Sequence, residues 1–292
     1  MRRLLMSALT LLLLGCGPQT ARVAPALPYT LRVATQNVHY ISLDKIMGPW
    51  SVGDWQDRRD SLDQAFKAVA PDIIGFQEME SFRRGDDGSV NLARDWLLAR
   101  NPRYAAGASG DWRSFPSTQP IFYRTDRFTL LDQGWFFFSD TPDVIYSRTF
   151  DGSYPAFASF VRLRDIDGRT LTVVNVHFEY KSGSNRLKSA RLVADRMAPL
   201  IAAGERVVLI GDLNALRGSG TARILKDAGF TFLPVTGSTY HLNRGLNLFG
   251  AIDHIALAGP VTASGPPQVQ RRTFAGRWPS DHHAVVADVT LD

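Results

Sequence analysis

Asp212 and Asn214 stand two residues apart, directly after the apolar run Val207-Val208-Leu209-Ile210 and its closing Gly211. Four branched apolar residues in succession read as a strand buried on both faces. Residues two apart in an extended chain point the same way, so this carboxylate and amide converge on one spot at the carboxyl end of the strand. Open α/β sheets place their chemistry there. Asp and Asn also close strands as ordinary turn formers, so the motif alone decides nothing. Repetition decides it. Asn37, Glu78, Asn175, His177, Asp253, Asp281 and His282 likewise lie within or at the ends of apolar runs. This set is rich in oxygen, with two imidazoles and no thiol, which suits Mg²⁺, Mn²⁺ or Ca²⁺ better than Zn²⁺. Positioning amides, acids for a metal and a His–Asp pair together suit attack of water on a phosphate ester. No Walker loop, Rossmann glycine pattern, His-Glu-x-x-His or Gly-x-Ser-x-Gly is present.

The elements that carry these residues follow from periodicity. Leu31 to Val38 reads as a strand containing Asn37, and Ile73 to Gln77 as a strand delivering Glu78. Between them, Trp55, Leu62, Ala65, Phe66 and Val69 recur near helical spacing over 54–69 and stop before Pro71. Residues 91–98 predict a short helix, and 109–117 a loop. Pro120 to Arg124 and Phe128 to Phe138 are strands by aromatic and β-branched content. Ala156 to Arg164 and Leu171 to Phe178 flank Asp167-Gly168 and read as an antiparallel hairpin ending in Asn175 and His177. An apolar stripe predicts a helix over 187–203 with Gly204 beyond its end, preceded by a loop holding Lys181 and Arg186. A short helix is expected over 221–228. Ala251 to Leu257 is a buried strand holding Asp253, whose charge is costly there without a partner. The last strand covers 284–289. Just before it, adjacent His282 and His283 face opposite sides in an extended chain, so they do not ligate one ion together.

At 292 residues and 45% apolar, the chain can bury one large core, and no repeat or linker divides it after residue 30. The amino terminus reads separately. Arg2-Arg3 precedes an apolar run over 4–14 that is short for a permanent membrane span. The run ends Leu13-Leu14-Gly15-Cys16, which resembles a bacterial lipoprotein box with Cys16 as the lipidated residue. Cys16 is the single cysteine, so no intramolecular disulfide staples the fold. The expected organisation is a signal peptide over 1–15, lipidated Cys16 with a flexible tether over 16–30, and a catalytic domain over 31–292. Net charge is +5, and loss of Arg2 and Arg3 leaves a basic excess of three, too small to argue for or against nucleic acid.

Six short segments carry a resemblance in order. Thr35-Gln36-Asn37, Gln77-Glu78, Asn175-Val176-His177, Gly211-Asp212-Leu213-Asn214, Ile252-Asp253-His254 and Ser280-Asp281-His282 are similar to the motifs of the endonuclease/exonuclease/phosphatase superfamily. The resemblance covers about residues 31–292 and implies an α/β four-layer sandwich, two face-to-face mixed β-sheets flanked by helices. It implies Glu78 as principal metal ligand, with Asn37 and Asp281 nearby, for Mg²⁺ or alternatively Mn²⁺ or Ca²⁺. Asp212 would orient or deprotonate water, Asn214 would help hold it or the phosphate, and Asn175 and His177 would bind phosphate oxygens. Asp253 would fix the His282 ring, which stabilises developing charge or protonates the leaving group. Arg186 and Tyr123 are further candidate substrate contacts. Abasic-site endonucleases typically carry Asn-x-Tyr where this chain has Asn-Val-His, so the likeness points away from that branch.

The resulting expectation is a monomeric phosphoesterase tethered to the bacterial envelope through Cys16, cleaving phosphodiesters in nucleic acid or nucleotides. A phosphatase or phospholipase acting on lipid, inositol or sugar phosphates is the second reading. A catalytically silent anion-binding domain is the third, and it is disfavoured because neither an acid of the motifs nor the histidine of the last one is missing.

Overall fold

The computed structural model describes residues 21–82 and 90–292. The chain runs through β1 (Leu31–Asn37), β2 (Ile41–Ser42), α1 (Val52–Val69), β3 (Ile73–Gln77) and β4 (Ser81–Phe82). After α2 (Leu92–Arg100) come β5 (Tyr104–Gly107), β6 (Ile121–Arg124), β7 (Phe128–Phe137), β8 (Phe157–Asp165) and β9 (Thr170–His177). Then follow α3 (Gly183–Ala202), β10 (Val207–Asp212), α4 (Gly220–Asp227), β11 (Thr231–Phe232) and β12 (Asp253–Ala258). The chain finishes with β13 (Val261–Ala263), β14 (Gln268–Val269) and β15 (Val285–Leu291).

Two sheets pack face to face. One has the order β13-β15-β1-β3-β6-β5, with β14 also on β15, and the other β11-β12-β10-β9-β8-β7. Each sheet contains one parallel pair, β1 with β3 and β9 with β10, and every other pairing in them is antiparallel. Parallel neighbours need a crossover, and both crossovers are helical: α1 joins β1 to β3, and α3 joins β9 to β10. The two βαβ units face each other, with β1 against β10 and β3 against β9. Their four carboxyl ends therefore come to one edge of the sandwich.

Side-chain parity sets the layers. Val33, Ile73, Val173, Val208, Ile210 and Ile255 fill the seam between the sheets. Their neighbours of opposite parity face outward: Ala34, Ile74 and Phe76 meet Leu62 and Phe66 of α1, while Val174, Val176 and Leu209 meet Val193 and Met197 of α3. This is the expected α/β four-layer sandwich. Gly75 permits the close approach of the sheets, and Gly211 the close pairing of β10 with β9. A Cβ on Gly75 would lie 2.5 Å from Ile210 Cδ1 in the facing sheet, and one on Gly211 (φ 145°) would lie 2.0 Å from the carbonyl of Val176.

Helix ends follow local chemistry. Ser51 Oγ accepts from Asp54 N at the start of α1, and Ala70 closes it in the left-handed region before Pro71. Arg58 leaves the inner face of α1 and donates to the carbonyls of Val38 (2.8 Å), His39 (2.6 Å) and Pro279 (3.1 Å). One buried guanidinium thus ties together the two loops that carry Asn37–His39 and Ser280–His282. α3 starts four residues before the expected 187, because Ser182 Oγ caps Asn185 N. Arg186 therefore belongs to the first turn of α3, not to the preceding loop. Leader residues 1–15 and Cys16 lie outside the described residues. Of the expected tether, Val23 N, Ala24 N and Leu27 N donate to the side chains of Gln270, Gln268 and Asp288, so this part is held against the domain. No helix among the described residues is long and apolar enough to cross a membrane.

Candidate active site

The seam between the sheets changes from apolar to polar along the strands. Thr35 and Asn37 share the parity of Val33, Gln77 that of Ile73, Asn175 and His177 that of Val173, Asp212 that of Ile210, and Asp253 that of Ile255. Register then sets a row, because Asp212 pairs with His177 on one side and with Asp253 on the other. Asn37 pairs with Gln77 in the opposite sheet, and Glu78 follows at once. A cleft of about 710 Å³ opens over this row.

On the floor, Asn37 Nδ2 donates to Glu78 Oε1 (3.0 Å) and Asp212 Oδ2 (3.3 Å), bridging the two sheets. His177 Nε2 lies 3.8 Å from Glu78 Oε1 and 3.7 Å from Asp212 Oδ2. Asn214 N donates to Asp212 Oδ1 (2.8 Å), and Asn214 Nδ2 donates to the Phe178 carbonyl (2.9 Å). His282 Nδ1 donates to Asp253 Oδ2 at 2.9 Å and lies 3.9 Å from Asp212 Oδ2. Asp281 faces His39 Nδ1 at 3.8 Å. His39, Glu78 and Asn214 all have positive φ (62°, 53° and 46°) without being glycine. Such backbone is uncommon and clusters where side chains must be aimed at one point.

Electrostatics follow from this crowding. Burial, reinforced by the neighbouring Asp253 carboxylate, pushes Asp212 up to about 6, against the opposing pull of His282 and His177. Burial alone would lower the His282 imidazole, but Asp253, Asp212 and Asp281 outweigh it and hold the ring well above its ordinary value. Burial opposes ionisation of Asp281 too, yet His282, His39 and His241 draw it below the usual carboxylate range.

The donor set fits a hard cation on the Glu78 side of the cleft. Glu78 and Asp281 offer carboxylate oxygens on the cleft wall, while Asn37 is buried beneath them, its Nδ2 donating to Glu78 and its Oδ1 accepting from His39 N. Asp212, Asp253 and His282 also offer atoms within 4.8 Å of one another. That cluster is explained without an ion, since its closest contact is the His282–Asp253 hydrogen bond. A metal ion there would displace this bond.

Three expected substrate contacts lie elsewhere. Asn175 is fully buried one residue pair below the floor. Its Oδ1 accepts from Gln77 Nε2 (2.6 Å) and its Nδ2 donates to the Phe76 carbonyl (2.8 Å), which spends it on joining the sheets. Tyr123 packs in the inter-sheet core beside Val161 rather than on the cleft wall. Arg186 donates to the carbonyls of Glu179 and Tyr180, fixing the loop that carries Lys181. Conversely, the cleft contains residues that no periodicity singled out. The Tyr154 ring lies tilted against His177 with centroids 5.7 Å apart, and the Tyr240 ring lies tilted against His282 at 5.0 Å. Tyr40 and Trp50 stack on each other, with rings 5.9 Å apart and 7° from parallel. Glu179, buried beneath the rim, accepts from Ser153 N (2.5 Å) and Lys181 N (2.9 Å), so one carboxylate holds both of these rim segments.

The same fold is found in solved structures. A mannosyl-6-phosphatase of Bacteroides thetaiotaomicron superposes with a TM-score of 0.74 at 23% identity, over 89% of this chain and 99% of that one. An endonuclease/exonuclease/phosphatase of Bacteroides vulgatus gives 0.71 at 22% identity, over 90% and 99%. TDP2 of D. rerio, complexed with a single-stranded DNA product, gives 0.64 at 19% identity, over 89% and 99%. No curated protein matches the chain significantly. The sequence model of the Endonuclease/Exonuclease/phosphatase family matches residues 34–282, which span all six motifs, and the chain belongs to that family of phosphoester hydrolases.

Proposed function

We propose that the chain is a divalent-metal-dependent hydrolase of a phosphoester whose organic part is a small ring, such as a sugar or cyclitol, seated against the aromatic cleft wall. The observation that carries this reading is the pairing of an oxygen-donor wall, Glu78 and Asp281 with Asn37 beneath, with the Asp212–His282–Asp253 series across the same cleft. A cation bound by that wall would neutralise phosphate charge and polarise the phosphoryl oxygen. Asp212, with its carboxyl near 6, is suited to take a proton from the attacking water at neutral pH. Asn214 fixes the Asp212 carboxylate through its backbone N–H. His282, protonated and held by Asp253, stabilises charge on the phosphate or donates its proton to the leaving oxygen. His177 faces the same point and contacts a phosphoryl oxygen.

For substrate class, what supports a small ring is the lining. Tyr40, Trp50, Tyr154 and Tyr180 offer ring faces, and Lys181 is the single Lys or Arg among the described residues lining the cleft. A strand of nucleic acid takes much of its affinity from a series of phosphate contacts. Nuclease-type cleavage is the second reading, favoured by the same ring faces, on which nucleobases also stack. Tethering through Cys16 at a bacterial envelope belongs to this proposal too, resting on the leader pattern. A substrate panel with Mg²⁺, Mn²⁺ or Ca²⁺ tests it, spanning sugar phosphates, inositol phosphates, sphingomyelin, nucleotides, single-stranded DNA and RNA. Turnover concentrated on sugar or inositol phosphates is expected. Preference for DNA or RNA would hand the case to the second reading.

A further inference from the structure

Beyond the cleft itself, its mouth has an unusual surface. Fifteen large apolar side chains are exposed among the described residues, and eight of them lie on four of the loops that also contribute cleft-lining residues. The loop before α1, which supplies Trp50 to the wall, exposes Ile46 at 83% and Met47 at 84%. The loop between β11 and β12, which supplies Tyr240, exposes Leu248 at 58% and Phe249 at 53%, and Phe249 stacks on Tyr240 at 6.3 Å. Leu216, after Asn214, reaches toward this loop, since a Cβ on Gly250 would lie 3.1 Å from its Cδ2. Tyr180 exposes its ring on a third side. Single exposed apolar residues are ordinary, but clustering around one opening marks an interaction surface.

The exposed charges on these four segments are predominantly basic. Lys45, Lys181, Arg217 and Arg244 are exposed beside these apolar residues, and the segments 43–50, 180–188, 214–219 and 240–250 hold one acid, Asp44. The ammonium groups of Lys45 and Lys181 lie over the rings of Trp50 and Tyr180, 5.5 and 5.2 Å from their centroids. Aliphatic tips with flanking cations suit the interface of an anionic bilayer, where the former enter the acyl boundary and the latter meet headgroup phosphates. A nucleic acid would reward the cations but not Ile46, Met47, Leu216 or Leu248.

We propose that the mouth of the cleft docks on an anionic lipid surface, so that the enzyme takes its phosphoester from the headgroup layer. This rests on the reading of the cleft as the hydrolytic site and adds where the substrate is presented. The leader could itself hold the chain near a membrane, so the test reads the loops and not bulk attachment. In the full chain with Cys16→Ser, single cysteines are introduced as Met47→Cys, Leu248→Cys or Ile166→Cys and labelled with an environment-sensitive fluorophore. Ile166 is exposed on the β8–β9 turn, at the opposite end of β9 from His177. Vesicles of phosphatidylglycerol and phosphatidylcholine should blue-shift the label at 47 and 248 and leave 166 unchanged, and pure phosphatidylcholine should shift none. Lys45→Gln with Arg244→Gln should weaken that response on the order of thirtyfold, from the free energy of each basic residue near such a surface. Absence of a shift at 47 and 248 when the protein co-sediments with vesicles would overturn the proposal, as would no vesicle binding at all. An equal shift at 166, or equal shifts on neutral vesicles, would also overturn it. A shift that grows with protein concentration without lipid would assign the surface to a second copy of the chain instead. Hydrolysis of soluble phosphoesters, followed in parallel without vesicles, reports separately on the underlying reading.

Discussion

His282 Nδ1 donates to Asp253 Oδ2 across 2.9 Å and stands 3.9 Å from Asp212 Oδ2. This gives one oxygen of an acid inside an apolar strand its partner. Asp253 is fully buried and finds in the imidazole the partner its own strand lacks. Since its Nδ1 proton is committed to Asp253, the ring has its Nε2 left to act on the substrate. His282→Ala and Asp253→Asn should each lower kcat by roughly 10²–10⁴-fold, the range for loss of a positioned acid or base. Because the two work as a unit, the double variant should be scarcely slower than His282→Ala. Steady-state kinetics on all four proteins check this, and strictly additive losses would mean independent roles.

The pH profile carries a sign. Asp212 acts ionised and its carboxyl is raised to about 6, so kcat/KM should climb about tenfold per pH unit below that value and level off above it. His282 acts protonated and is held above its ordinary value, so the alkaline limb should fall only well above pH 7. A profile flat between pH 5 and 7 would contradict the role of Asp212.

The same shift bears on stability. A carboxyl whose folded value lies above its unfolded value contributes stability at low pH, and that contribution is lost as pH rises from about 4 through about 6. Asp212→Asn should therefore stabilise the metal-free protein at pH 7.5, by about 3 kcal/mol if the whole shift is relieved, while abolishing turnover. At pH 4 the gain should shrink. Thermal melts in chelator at both pH values read this directly.

Below the floor, Asn175 and Gln77 join the two sheets with a 2.6 Å hydrogen bond. Asn175→Ala leaves buried polar groups unpaired and should cost about 1–3 kcal/mol of stability per group. The expected signature is a lower melting temperature with KM for soluble substrate little changed. A large rise in KM with unaltered stability would restore Asn175 as a phosphate contact.

Much of this site was legible because parity is rigid. Asn37 and His177 share the parity of Val33 and Val173, four positions back, and Asp212 and Asp253 that of Ile210 and Ile255, two positions away, so finding the buried face of the strand also finds the polar group. Depth along the strand was not legible. Asn175 and His177 have the same parity, yet two residues of strand span about 6.7 Å, enough to separate a buried sheet connector from a cleft wall. Tyr154 stayed hidden because it lies in irregular chain, where no period applies. The true start of α3 was masked by Ser182-Gly183-Ser184-Asn185, whose composition reads as loop although Ser182 is a helix cap. Tyr123 misled for the opposite reason, since its neighbours in β6 make an aromatic strand whose ring faces the core.

The central claim is that a divalent cation on Glu78 supports phosphoester hydrolysis in this cleft. Its most direct test is kcat on the best substrate of the panel, before chelation, after it, and on restoring Mg²⁺, Mn²⁺ or Ca²⁺, for the native protein and Glu78→Gln. The account predicts that chelation abolishes turnover, that one of the three ions restores it, and that Glu78→Gln folds normally but needs far more metal for far less activity. Undiminished hydrolysis by the chelated protein, or a Glu78→Gln variant with the native metal requirement and rate, would contradict it.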